Sequence, residues 1–486
     1  MSPEDAALDR LLAERLWPWV EQVMDAWALP GVAICAVRGE AVVARGFGTR
    51  DVRTGEPVTG DTLFHLASIS KPFVATAALQ LVDDGALELD APIAPLLPEL
   101  RWADERARGI TLRHLLSHRS GLGDVHDYGW DDPEFDDDAL ARFAAEVAGW
   151  RLERDPGNAF AYSNAAYELL GHLLATVTGS SFEALLAERV LRPLGMATST
   201  FLRHDVPPAL EAAPHIGQPA AVPEGAYPYT RQHAPSSSLH SSAAELGRWL
   251  VAHLDGRAGL SPELHREMWA PQAEAGGVWH AQIALGWFLG TIRGRTVVSH
   301  SGEDPGFATN HGLVPDERVG FAVLGNSNLV PVELSEATLA VLLGEDPGEP
   351  PLPPAVVPVG RELEVAGPEA AEALFRLLAA ERPPRADLDE PGFDDATWPA
   401  VELHRPELVR PLLELWLRAQ PESADAWATA AWSHEVEGRA AEAVEHLRRA
   451  LELDPEHEDA AARLRRLRAA PASATSVGSK DRRAEL

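Results

Sequence analysis

Lysine occurs at only two positions in this 486-residue chain, Lys71 and Lys480, and everywhere else the positive charge is arginine. A group that must give up its proton near neutral pH cannot be arginine, whose guanidinium stays protonated. Lys480 lies in a Ser/Ala/Arg tail, so Lys71 reads as the lysine kept for its chemistry. Ser68 precedes it by three residues in Phe64-His65-Leu66-Ala67-Ser68-Ile69-Ser70-Lys71-Pro72-Phe73. If this stretch opens a helix, as the apolar spacing of Phe73, Ala77, Leu79, Leu81 and Val82 permits, hydroxyl and amine share a face. A buried amine of depressed pKa then deprotonates the serine. Unpaired N–H groups of the first helical turn stabilise charge on an attacked carbonyl. Ser-x-x-Lys also arises by chance with Ser68 as a helix cap, and the arginine bias of the composition weakens an argument from lysine scarcity.

Two further stretches carry chemistry-bearing residues. In Asp155-Pro156-Gly157-Asn158-Ala159-Phe160-Ala161-Tyr162-Ser163-Asn164 a turn delivers a tyrosine and an asparagine two apart, just before a helix. Near the Lys71 charge the Tyr162 phenol would have a lowered pKa and pass protons between Ser68 and a leaving group, and the Asn164 amide would bind substrate. The competing interpretation is an Asn cap beside a core tyrosine. The third stretch, Val297-Val298-Ser299-His300-Ser301-Gly302-Glu303, ends a strand with His300, and Gly302 lets a substrate approach the backbone. Alone, His-x-Gly is weak.

The elements that must position these residues are legible around them. A chain that is 45% hydrophobic and 24% charged is too apolar for disorder and too long for one ordinary domain, so two or more soluble domains are expected. A formal charge of -32 argues against nucleic acid and anionic membrane as partners. The single cysteine, Cys35, sits in an apolar run and reads as buried and inert. An acidic N-terminus without a basic and then apolar stretch, and no run of membrane-spanning length, make cytoplasmic the default expectation. Ser2 and Asp5 resemble a capping box before the stripe Leu8, Leu11, Leu12, Leu16, Val20, Val23, Trp27, which Pro18 interrupts. Residues 31–37 and 41–48 read as a hairpin through Arg38-Gly39-Glu40. Helical segments such as 164–178 and 182–191 fill the middle, and strand-like runs return at 283–289, 296–299, 308–314 and 319–324. The layout is α+β: an antiparallel sheet flanked by helices, split in sequence by an inserted helical subdomain, with a cleft where the two meet.

The order and context of the three motifs resemble the serine β-lactamase and penicillin-binding-protein superfamily, and within it the class C β-lactamase and esterase branch, with Tyr-x-Asn second and often His-x-Gly third. Leu29-Pro30-Gly31-Val32-Ala33, the run from Gly85 to Ile93 and the run from Leu115 to Leu122 are similar to that branch too. The resemblance spans about residues 7–343. It implies Ser68 as nucleophile, Lys71 as activating base, Tyr162 as proton carrier, Asn164 and His300 as substrate-side hydrogen bonders, Gly302 as a substrate-binding position, and the N–H groups of Ser68 and Glu303 as oxyanion hole. It implies no cofactor and no metal.

Departures bear on substrate. β-Lactam-specific members present a lysine in the third motif, where this chain has His300, and Glu303 stands where relatives often have glycine. Asp124, Asp127, Asp131, Asp132, Glu134, Asp136, Asp137 and Asp138 crowd a loop without Lys or Arg, either a solvated face or a cation-attracting mouth. Its spacing fails the EF-hand pattern at His126, Tyr128 and Phe135. The hydrolase is assigned to residues 1–343 and a Pro-rich linker to 344–358. A helical segment over 359–470 has tetratricopeptide-like spacing at Trp427, Ala431, Gly438, Ala443, Leu447, Ala450 and Pro455, and 471–486 is read as a disordered tail. Residues 411–470 would contact a protein partner or a second subunit. Three functions compete: a serine hydrolase of a small ester or D-amino-acid peptide, a β-lactamase or D,D-carboxypeptidase, and a catalytically idle interaction module.

Overall fold

The computed structural model describes residues 2–389 and 391–469, which form two compact units: 2–215 with 224–351, and 216–223 with 352–469. In the first unit Ser2 caps α1 (Pro3–Arg15). Its hydroxyl accepts from the Asp5 N–H at 3.0 Å while Asp5 accepts from the Ser2 N–H at 2.7 Å, which fills two orphan donors of the first turn. Pro18 lacks the N–H a continuous helix needs, and the stripe divides at Leu16 into α1 and α2 (Trp17–Trp27).

The strands are β1 (Gly31–Arg38), β2 (Ala41–Asp51), β3 (Glu56–Pro57), β4 (Phe64–His65), β5 (His240–Ser241), β6 (Ala273–Glu274), β7 (Gln282–Ile283), β8 (Phe288–Ile292), β9 (Arg295–Asp304), β10 (Phe307–Val314) and β11 (Val319–Gly325). Nine form one antiparallel sheet in the order β3-β2-β1-β11-β10-β9-β8-β7-β6, so the N-terminal hairpin does join the late strands through β1 and β11. β4 and β5 pair apart from it. The expected strand over 283–289 is two short ones, because Ala284 N–H donates to the Trp287 carbonyl at 2.7 Å and Gly286 takes φ 79° in a tight turn. β1 is buried on both faces. The helix Ala243–Leu254 lies on its Cys35 side, at Gly247, where a Cβ would meet Val42 Cγ1 at 2.4 Å and Cys35 Sγ at 3.0 Å. α1 and the helix Glu333–Leu342 pack on the sheet outside that core. Burial pushes the Cys35 thiol up to about 12, in keeping with an inert packing role.

Between the two parts of the sheet come α3 (Ser70–Asp83), α4 (Leu112–Leu116), α5 (Ala139–Ala148) and α6 (Asn164–Thr178). α3 is buried from Ser70 to Leu81, all round rather than along one stripe, as a helix inside a large core must be. Trp249 stacks on Phe73 at 3.8 Å and anchors the helix that carries Lys71. Among the described residues no single helix is long and apolar enough to cross a membrane.

The sequence-based boundaries need correction. Residues 344–351 are not free linker, because Arg15 donates to the Glu345 carbonyl at 2.8 Å and Trp19 Nε1 to the Gly348 carbonyl at 2.9 Å. Residues 216–223 belong to the second unit, where Gly360 lets its helix pass the Gln218 carbonyl; a Cβ there would lie 2.6 Å from that oxygen. The second unit is otherwise helical, with Trp416 stacked on Phe393. Its helices Ala424–Val436 and Ala440–Leu453 cross through Ala428, Ala431, Leu447 and Ala450. The expected tail, 471–486, lies outside the described residues.

Candidate active site

Ser68 lies in the 3-10 turn Ala67–Ile69, two residues before α3 rather than inside it. Ala67 takes φ 49°, a left-handed conformation uncommon for a residue with a Cβ. Lys71, in the first turn of α3, is fully buried. Its Nζ reaches Ser68 Oγ at 2.7 Å, Asn164 Oδ1 at 2.7 Å and the Ser236 carbonyl at 2.9 Å. Three acceptors use all three protons of an ammonium; in the neutral amine one position becomes a lone pair that accepts the serine proton. Burial brings Lys71 down to about 8, against the opposing charges of Glu168, Asp124 and Asp304. About a tenth of it is therefore neutral at pH 7.

The second motif converges on the same serine. The Tyr162 hydroxyl donates to Ser68 Oγ at 3.0 Å, and its ring stacks on His118 with centroids 4.2 Å apart. The expected lowering of its pKa does not occur: burial, reinforced by the charges of Asp124, Asp304 and Glu168, pushes the phenol up, and it stays protonated. Asn164 is not the helix cap; Ser163 is, its hydroxyl accepting from the Ala166 N–H at 3.1 Å. The Asn164 amide also differs from its expected substrate-side role. Its Oδ1 is spent on Lys71, and its Nδ2 donates to Tyr128 Oη at 2.6 Å and Asp124 Oδ2 at 3.1 Å. Asp124 Oδ1 also accepts from the Asn164 backbone N–H at 2.6 Å. That carboxylate fixes which way the amide faces, because a flipped Asn164 would turn N–H groups toward the lysine.

The third motif arrives on β9. Alternation along the strand buries His300, Gly302 and Asp304 and leaves Glu303 exposed. At Gly302 the strand passes so close to the serine turn that a Cβ would lie 2.2 Å from the Leu66 carbonyl and 2.8 Å from Ser68 N. The Thr309 hydroxyl donates to that same Leu66 carbonyl at 2.8 Å. His300 Nδ1 faces the Ser301 carbonyl at 2.6 Å, while burial, aided by the Lys71 charge, holds the ring well below its usual pKa. It is a neutral imidazole with Nε2 as acceptor, and that nitrogen has no partner among the described residues. Glu303 Oε1 accepts from Asn328 Nδ2 at 3.0 Å. A cavity of about 280 Å³ is lined by Ser68, Tyr162, Asn164, His300, Gly302 and Glu303 among others, so every residue given a role in the three motifs borders it except Lys71, which lies beneath.

Sequence reasoning missed Ser236, Asp304 and His65, and it misplaced Asp124. Ser236 contributes a backbone carbonyl, which no residue pattern reveals. Asp304 adjoins Glu303, and His65 adjoins the serine motif, so position was the available signal; His65 Nε2 lies 2.7 Å from Asp304 Oδ2. The acidic loop is neither uniformly solvated nor an open cationic trap. Asp124 turns inward, whereas Glu134 and Asp136 pair with Arg142, and Asp137 pairs with Arg231, arginines from outside the loop.

Comparison with known proteins gives one consistent result. The family model described as Beta-lactamase matches residues 18–345. Penicillin-binding protein 4 of Amycolatopsis lactamdurans is 30% identical over 62% of this chain and 82% of its own length. Esterase EstB of Burkholderia gladioli is 38% identical over 46% of this chain, which spans 60% of that esterase. Among solved structures, the octameric penicillin-binding protein homologue from Pyrococcus abyssi aligns with TM-score 0.63 and 25% identity over 74% of this chain and 81% of that one. The D-amino acid amidase from Ochrobactrum anthropi aligns with TM-score 0.56 and 25% identity over 67% of this chain and 98% of that one.

Proposed function

Because the chain belongs to the Beta-lactamase family of serine hydrolases, we propose that it cleaves a small ester or amide through an acyl-enzyme on Ser68. The observation that carries this reading is the double engagement of one hydroxyl: Lys71 Nζ at 2.7 Å and Tyr162 Oη at 3.0 Å from Ser68 Oγ. Neutral Lys71 takes the serine proton as Oγ bonds the carbonyl carbon. The developing oxyanion sits between the N–H groups of Ser68 and Glu303, where the bare Cα of Gly302 permits the approach. Each such donor contributes roughly a hundredfold or more to the rate. The proton passes through the Tyr162 hydroxyl to the leaving group, which departs as alcohol or amine. Water then attacks the acyl-serine with the same base, releasing acid and restoring Ser68.

Relatives named as an esterase and as a D-amino acid amidase support an ester or amide substrate. A serine-directed fluorophosphonate tests the nucleophile. One label is expected on the wild type and none on Ser68→Ala, read by intact mass; labelling that survives the substitution overturns the assignment.

A further inference from the structure

The pocket around Ser68 has acceptors on both flanks of its reacting centre. Along β9 the side chains of His300, Gly302 and Asp304 fall on one face, with Gly302 against the serine turn. Two residue steps along the strand separate Gly302 from each neighbour, a span of about 7 Å. On one flank is the unpartnered Nε2 of His300, which is only 1% exposed. On the other is Asp304, 8% exposed and bordering the cavity, with Oδ2 held 2.7 Å from His65 Nε2. No lysine or arginine is among the residues lining this cavity. The cation nearest the serine, Lys71, has its three N–H positions committed beneath it. A carboxylate on the substrate would find no ammonium or guanidinium in the lining to pair with and would lie beside two acids, Glu303 and Asp304, whereas a cation would pair with them.

We propose that Asp304 is an ammonium-binding residue on the acyl side of the pocket and that the substrates are amine-bearing acyl donors, esters or amides of amino acids with a free amino group. The proposal rests on the hydrolase reading and narrows it. The amino group takes no part in bond making: Ser68 Oγ bonds the acyl carbon, the bond to the leaving group breaks, and the leaving group carries off the serine proton. Glu303, exposed and steadied by Asn328, adds negative potential at the rim. Burial lifts the Asp304 carboxyl to about 8 against the pull of Lys71, and an ammonium beside it favours the ionised form again. His65 orients the carboxyl from behind.

The test uses the full chain and needs no turnover. Alaninamide, as D and L forms, and isobutyramide have the same shape, with ammonium in place of methyl. Each is titrated at pH 7 for protection of Ser68 from the fluorophosphonate. One alaninamide enantiomer should protect at a concentration at least about tenfold below isobutyramide, with the ratio shrinking as salt is raised. Asp304→Asn should bring the ratio toward one, and Glu303→Gln should reduce it less; if Asp304→Asn does not fold, Asp304→Ser carries the same comparison. Equal protection, no protection by either amide, a ratio unchanged in Asp304→Asn, or a larger loss in Glu303→Gln each overturns the assignment. Failure of wild-type Ser68 to label at all strikes the hydrolase reading instead.

Discussion

Asp124 and Asp137 belong to one acidic loop and look alike in sequence, yet the structure uses them in opposite ways. Asp124 is turned inward, takes hydrogen bonds from the backbone and side chain of Asn164, and exerts its charge on Lys71 without an intervening guanidinium. Asp137 stays outside and is paired with Arg231, whose Nε also reaches Glu183 at 2.6 Å. A charge partly withdrawn from water acts on its neighbours through a lower effective dielectric, whereas an exposed pair contributes about 0–1 kcal/mol and is screened by salt. Counting acidic residues therefore overstates the field at the pocket mouth and understates the effect of one inward-turned carboxylate.

That contrast can be broken at its centre or at its edge. The largest effect belongs to Lys71. Lys71→Arg keeps the charge but cannot offer a neutral amine, so stopped-flow acylation should slow by at least about a hundredfold; a rate near wild type would make Lys71 structural. The wild type should show the same requirement as a pH dependence. Activity belongs to the neutral amine, so kcat/KM should rise with pH through an apparent pKa near 8 and be lost as pH falls below it. A limb centred near 6 would point to a different base.

Asp124 comes next. In Asp124→Asn the charge that favours the ammonium is gone, so the ascending limb should move to lower pH. The freed Asn164 amide should also lower the plateau rate, by about tenfold in keeping with a misoriented catalytic group. An unmoved limb would show that the inward acid has no electrostatic hold on the lysine, and the contrast with Asp137 would fail. The smallest effect belongs to the outer acids. Asp136→Asn and Asp137→Asn, singly or together, should leave kcat/KM for cationic and neutral esters within about twofold of wild type, since each removes one exposed, screened partner. A larger or salt-sensitive loss would restore the loop as a cation-attracting mouth.

Ser68, Lys71, Tyr162, His300 and Gly302 were legible because each is a chemically particular residue at a fixed short spacing from another. The hairpin of β1 and β2 and its union with β11 were legible because long apolar runs with turn residues between them admit few other arrangements. The orientation of the Asn164 amide was not, since asparagine presents a donor and an acceptor of nearly equal shape and only the neighbouring carboxylate chooses between them. Nor was the protonated state of Tyr162: proximity to a lysine argued for lowering its pKa, and desolvation within the pocket wall outweighed it.

By itself the sequence determined which atoms are available for chemistry, an amine that can lose its proton, a hydroxyl three residues before it and a glycine that lets a strand come close. Those properties reside in single side chains and short spacings. Only the tertiary structure decided what each atom faces, from the inward turn of Asp124 to the placing of Asp304 in one cavity with the serine and the departure of residues 216–223 to the second unit. Desolvation and hydrogen-bond partners depend on segments far apart in the chain, and no local pattern records them.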